Sequence, residues 1–169
     1  MKFNYYAFKA IYLHEMDRFR RTLMQSLLSP VLSTSLYFIV FGSVIGGYVQ
    51  KIDGISYGSY IVPGLLMLTL LTQSISNTSF GIFFPKFNGT IYEILAAPIS
   101  TLEIVLAFVG AGATKTLIVG LMIFLTSTFF VEVEVKFPLL MIFLLVLVSF
   151  TFALFGFLIG LMSSNFEQM

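Results

Sequence analysis

The stretch Lys86-Phe-Asn-Gly-Thr-Ile-Tyr-Glu-Ile-Leu-Ala-Ala-Pro-Ile-Ser-Thr-Leu-Glu103 is a short polar interval between long apolar runs, and the chain is read outward from it. It holds two helix-start signatures. Thr90 is followed three residues later by Glu93, and Ser100 three residues later by Glu103. In each pair the hydroxyl can accept from the third backbone N–H while the carboxylate reaches back to the capping residue's own N–H. Pro98 between them has no N–H to continue a helix, so Ile91 to Ala97 is predicted to be a two-turn helix that stops there. A capped helix is more than a simple reversal between two apolar runs needs, and the spacing predicts a segment built for docking.

The composition sets the class. The 169 residues are 58% hydrophobic and only 10% charged, where a soluble domain carries roughly a quarter charged residues. That leaves too little polar surface to cover a water-soluble globule, so the expectation is an integral membrane protein. A net charge of +1 offers no field for nucleic acid, and the absence of cysteine excludes disulfides, thiolate metal sites and cysteine nucleophiles.

Four apolar runs are long enough to span a bilayer, at about 23–49, 60–84, 102–131 and 138–162. Ahead of them, residues 3–21 place Tyr5, Phe8, Tyr12, Met16 and Phe19 on one helical stripe, with His14, Asp17, Arg18 and Arg21 towards the other side. That pattern predicts an amphipathic helix in the membrane interface. The basic residues gather in this segment and at Lys86, whereas the other two turns hold one lysine each, Lys51 and Lys136. The positive-inside bias therefore places both termini and the 86–103 interval in the cytoplasm. The predicted fold is all-α, a polytopic transmembrane helical bundle forming a single domain over 1–169.

The second run is rich in hydroxyl and amide groups, and Thr69, Gln73, Ser76 and Asn77 recur at helical spacing within it. Such a stripe must face protein or water, as interhelical hydrogen bonds or as the wall of a transport path; the sequence leaves both open. Gly42-Ser-Val-Ile-Gly46 and Gly156-Phe-Leu-Ile-Gly160 have the small-xxx-small spacing that lets helices approach closely, and internal packing is the favoured reading. Lys115 is a charge well inside the third run, either a functional group or a side chain that snorkels to the cytoplasmic surface. The segment before it superficially resembles a phosphate loop. Thr114 and Val109 stand where that loop needs glycine, so ATP binding by this chain is not expected. No nucleophile–base set and no metal cluster is apparent, and neither catalytic nor metal-binding residues are predicted.

Leu36-Tyr-Phe-Ile-Val-Phe-Gly-Ser-Val-Ile-Gly46, Tyr60-Ile-Val-Pro-Gly-Leu-Leu-Met67 and Glu93-Ile-Leu-Ala-Ala-Pro98 resemble the permease subunits of type 2 ATP-binding-cassette exporters, and the similarity runs through essentially the whole chain. The resemblance implies partners: cytoplasmic ATPase subunits that carry ATP and magnesium, a second permease copy, and membrane lipids. It implies that residues 90–97 are the coupling helix, with Phe87, Gly89, Thr90, Glu93, Leu95, Ala97 and Pro98 at the ATPase interface. It also tips Thr69, Gln73, Ser76 and Asn77 towards the transport path. The family carries six spans, so this chain reads as C-terminally truncated. The expected function is a permease subunit moving a hydrophobic or amphipathic compound across a bacterial inner membrane by alternating access, N-terminus in the cytoplasm. The alternative is a non-transporting membrane scaffold.

Overall fold

In a computed structural model, residues 3–41, 51–52, 55–131, 133 and 135–165 are described, and the structural statements below concern these residues. Six helices occur in the order α1 (Tyr5–Arg21), α2 (Leu23–Ile39), α3 (Tyr57–Asn88), α4 (Ile91–Ala96), α5 (Thr101–Ser127) and α6 (Pro138–Met162). Between α2 and α3, strands β1 (Lys51–Ile52) and β2 (Ile55–Ser56) form a minimal antiparallel ladder pairing Lys51 with Ser56 and Ile52 with Ile55. The chain is a helical membrane bundle. Helices α3, α5 and α6 are each long and apolar enough to cross a bilayer, and α2 is a shorter apolar helix. The second half of the first predicted span, including Gly42 and Gly46, lies outside the described residues, as do Glu132 and Glu134.

Helix α5 is the centre of the bundle, packed against α1, α2, α3 and α6, and it buries Ala107, Phe108, Val109, Ala111, Ala113, Val119 and Ile123. Helix α6 is the opposite case. It is the most hydrophobic of the three long helices and the least covered, because lipid is as good a neighbour for leucine as protein is. Its inward side is therefore the side of its small residues, Ser149, Ala153, Gly156 and Gly160, with Phe157. A Cβ at Gly156 would come within 2.5 Å of the Ile75 carbonyl oxygen, and one at Gly160 within 2.5 Å of that of Ser79. The small-xxx-small pair is thus an internal contact between α6 and α3.

Most hydroxyls in the spans are satisfied by their own helix. Thr69 donates to Leu65 O at 2.8 Å, Thr114 to Gly110 O at 2.8 Å and Thr116 to Gly112 O at 3.0 Å, which removes a bare donor from the hydrocarbon. An interhelical bond joins Ser74 Oγ to Ser149 O at 3.1 Å.

At its far end α3 stops at Gly89, whose φ of 80° is the left-handed conformation that glycine adopts without steric cost. With 32 residues α3 is about 48 Å long, well beyond the roughly 30 Å hydrocarbon core, so it must tilt in a bilayer or extend past it. The two predicted capping boxes fare differently. At Ser100 the box is complete: Ser100 Oγ accepts from Glu103 N at 3.4 Å and Glu103 Oε2 accepts from Ser100 N at 2.8 Å. At Thr90 it is not formed, because Thr90 has helical backbone angles and its hydroxyl turns back to Pro85 O at 3.4 Å. Ser100→Ala is accordingly expected to cost about 1 kcal/mol of stability and Thr90→Ala only a few tenths. Thermal unfolding of the two variants in one detergent checks this, and equal losses would refute the assignment.

Candidate functional site: an exposed helix and a buried charge cluster

The short helix α4 is held from below. Ile91 and Ile94 pack against the cluster formed by Ile82, Ile104, Phe108, Val109, Ala113, Ala153 and Phe157. Its other side is uncovered: Tyr92 is 73% and Leu95 61% exposed, Phe87 beside it is 63% exposed while stacking on Phe83, and Glu93, Ala97 and Pro98 are exposed too. Asn4 fastens the segment to the start of α1. Its side-chain oxygen caps α1 at Ala7 N, its side-chain amide donates to Pro98 O at 3.2 Å, and its backbone N–H donates to Glu103 Oε1 at 2.5 Å. Gly89, Thr90, Asn4, Ser100 and Glu103 thus fix the shape of the α4 segment, while Phe87, Tyr92, Glu93 and Leu95 are presented outward.

Helix α1 runs in the same direction as the first half of α5. Asn4 meets Glu103, Tyr12 Oη donates to Thr114 Oγ1 at 3.0 Å, and Glu15 meets Lys115. Its outward side carries Tyr5, Tyr6, Lys9 and Arg20, a mixture of aromatic and basic groups suited to a headgroup region. Its polar residues are divided, however. Arg18, expected on the outward side, turns inward with Glu15.

Lys115 does not snorkel. Its side chain is 3% exposed and its ammonium lies 2.7 Å from Oε2 of Glu15, whose side chain is 2% exposed and also accepts from Arg18 at 2.8 Å. Lys115 stands about 21 Å along α5 from Thr101, and its charge is met by another side chain. Three features make room for the cluster. Gly81 of α3 lies under the carboxylate, where a Cβ would be 3.3 Å from Glu15 Oε2. The Arg18 guanidinium sits 5.3 Å from the centre of the Phe80 ring. Gly112 lets α5 close onto Thr78.

The cluster borders a cavity of about 500 Å³ between α1, α2, α3 and α5. Its walls are Arg18 and Phe19 of α1, Thr22 at the junction, Gln25 and Ser26 of α2, Ser76, Asn77, Ser79 and Phe80 of α3, and Lys115 of α5. Of the residues predicted for a transport path, Ser76 and Asn77 line this cavity. Gln73 accepts from Asn77 Nδ2 at 3.3 Å, and Thr69 lies further along α3, bonded to its own helix. Glu15 and Arg18 were missed as site residues. The signal was present, since Phe8, Tyr12, Glu15 and Phe19 follow a four–three–four spacing that puts the glutamate on the inward stripe. Among the described residues there is no group of histidine, aspartate or glutamate that could hold a metal ion.

A bundle with three helices long and apolar enough to cross a bilayer, a short fastened helix between two of them and a charged cavity defines a polytopic membrane protein. The chain belongs to the ABC-2 type transporter family, whose model matches residues 6–169. It is 37% identical over 163 residues to the inner membrane transport permease YadH of Escherichia coli (strain K12), an alignment that covers 96% of this chain and 64% of the relative. The YadH proteins of Escherichia coli O157:H7 and Shigella flexneri match equally. The chain therefore spans just under two thirds of the length of the curated relatives it matches. No solved structure matches significantly.

Proposed function

We propose that the chain is a permease subunit of an ATP-driven exporter in a bacterial inner membrane, with its N-terminus and the α4 segment in the cytoplasm. The observation that carries this reading is α4: a short helix between two long apolar ones, fixed by caps at both flanks, that presents Phe87, Tyr92 and Leu95 to the surroundings. Exposed apolar side chains on a segment outside the bilayer suit a docking surface, and the bias of basic residues towards α1 and Lys86 supports a cytoplasmic position for it. The occupant in this reading is a separate ATPase subunit that binds ATP and magnesium, the partner that membership of the ABC-2 type transporter family supports. Closure of an ATPase pair would push α4. Through Ile91 and Ile94 the push reaches the α5 and α6 core, and through Asn4 it reaches α1, re-orienting the spans in a dimer of permeases that moves an amphipathic compound.

The test is capture of a co-expressed ATP-binding-cassette ATPase by the full chain. Glu93→Arg and Ala97→Trp are each expected to reduce capture at least about tenfold, as loss of one central interface contact does. Capture that survived both changes would remove α4 from the interface.

A further inference from the structure

The geometry points to the cavity between α1, α2, α3 and α5 as a binding site for the anionic, phosphate-bearing head of a lipid-like molecule; as an assignment of ligand chemistry it rests on the permease reading. Charge is the first reason. Arg18 and Lys115 line the cavity, and the carboxylate facing them, Glu15, is shared by both through a single oxygen, Oε2. The junction, α2 and α3 supply only Thr22, Gln25, Ser26, Ser76, Asn77, Ser79 and the Phe80 ring. On α1 itself, Asp17 is exposed and turned to Arg20 at 3.9 Å. The cluster therefore carries one net positive charge, and Arg18, 25% exposed, presents it to the cavity.

Shape and lining are the second reason. About 500 Å³ is a ligand-sized volume, and its hydroxyls and amides are the groups that complete the hydrogen bonding of a phosphate. Phe80 is both a wall of the cavity and 39% exposed, and Phe84, stacked on it one turn further along α3, is exposed as well. The same wall therefore continues into the apolar outer surface, so a head held by Arg18 and Lys115 can keep its tail in lipid. A free anion would have no use for that continuity.

The full chain in phosphatidylcholine nanodiscs doped with phosphatidylglycerol tests the site, with retained lipid read by native mass spectrometry. Phosphatidylglycerol is expected to be retained in preference to phosphatidylcholine. Arg18→Gln should weaken retention about tenfold, the effect of one charge-assisted hydrogen bond, and Arg20→Gln should leave it unchanged. Ser76→Leu, which narrows the cavity without touching the ion pair, should also abolish the preference and keeps the test valid if Arg18→Gln fails to fold. Equal losses in Arg18→Gln and Arg20→Gln would reduce the effect to general surface attraction and overturn the site. Full displacement of the lipid by inorganic phosphate would overturn the lipid-like ligand in favour of a free anion. The outcome is separable from ATPase capture: wild-type protein that captures the ATPase but shows no lipid preference refutes the site alone.

Discussion

Glu15→Leu is expected to be the most damaging single substitution among the described residues, costing about 3–5 kcal/mol, because it strands buried charge. The asymmetry of the cluster makes the expectation specific. Wild type holds two cations around one carboxylate. Without Glu15, the Lys115 side chain, 3% exposed, faces Arg18 with no anion between them. Lys115→Met should be far milder, because Arg18 still neutralises Glu15 at 2.8 Å and a methionine fills the lysine's path. The double variant Glu15→Leu/Lys115→Met should recover most of the loss, leaving only Arg18, which is 25% exposed and can reach water. Thermal unfolding of the three variants in nanodiscs measures this. Simple addition of the two single effects would show that the ion pair contributes nothing to holding α1 against α5.

The second large effect is expected at the α3–α6 contact. Gly156→Ala places a methyl 2.5 Å from Ile75 O and 2.8 Å from Ile75 Cα, and Gly160→Ala places one 2.5 Å from Ser79 O, 2.9 Å from Ser79 Cα and 2.5 Å from Ile82 Cγ2. Backbone is met in both cases, so the helices must separate along their length. Each substitution should cost about 1–3 kcal/mol as overpacking. Gly110→Ala is the internal comparison: it lies in α5 with nothing within 4 Å of the added carbon, so the higher helix propensity of alanine should stabilise by up to about 1 kcal/mol. If Gly156→Ala and Gly110→Ala shifted unfolding alike, close packing would not be what joins α6 to the bundle. Gly156→Ala is also expected to expose α6 to protease in the intact membrane, a readout that helix propensity alone would not move.

Much of the fold was legible in the chain because membrane helices are governed by composition over about twenty residues, a signal that survives without knowledge of neighbours. The runs that became α3, α5 and α6 stand out in this way. So does the complete box at Ser100 and Glu103, which is local geometry. Helix α3 runs to Asn88, four residues past the end expected at 84, and its stop at Gly89 was not read. Thr90 shows the limit of local reading. Its spacing to Glu93 is that of a capping box, yet Gly89 delivers the chain to Thr90 already in helical conformation, and the hydroxyl finds Pro85 O instead. The polar stripe of α3 was legible as a stripe and ambiguous in role. Neighbouring helices divided it, sending Ser74 to Ser149, Ser76 and Asn77 to the cavity, and Thr69 back to its own backbone.

By itself the sequence determined that this protein lies in a membrane and that a capped segment interrupts its apolar runs between residues 86 and 103. Those properties follow from hydropathy, capping and the lack of an N–H in proline, each settled within a few turns of chain. The helix ends shifted: the run expected at 60–84 became Tyr57–Asn88, carried through Pro85, and that at 102–131 became Thr101–Ser127. Only the tertiary structure decided what becomes of the charges. Glu15 and Lys115 are a hundred positions apart in sequence, and neither residue's surroundings along the chain name the other. They meet because α1 lies along α5 over Gly81 of α3, and a buried charge takes the partner that packing brings to it.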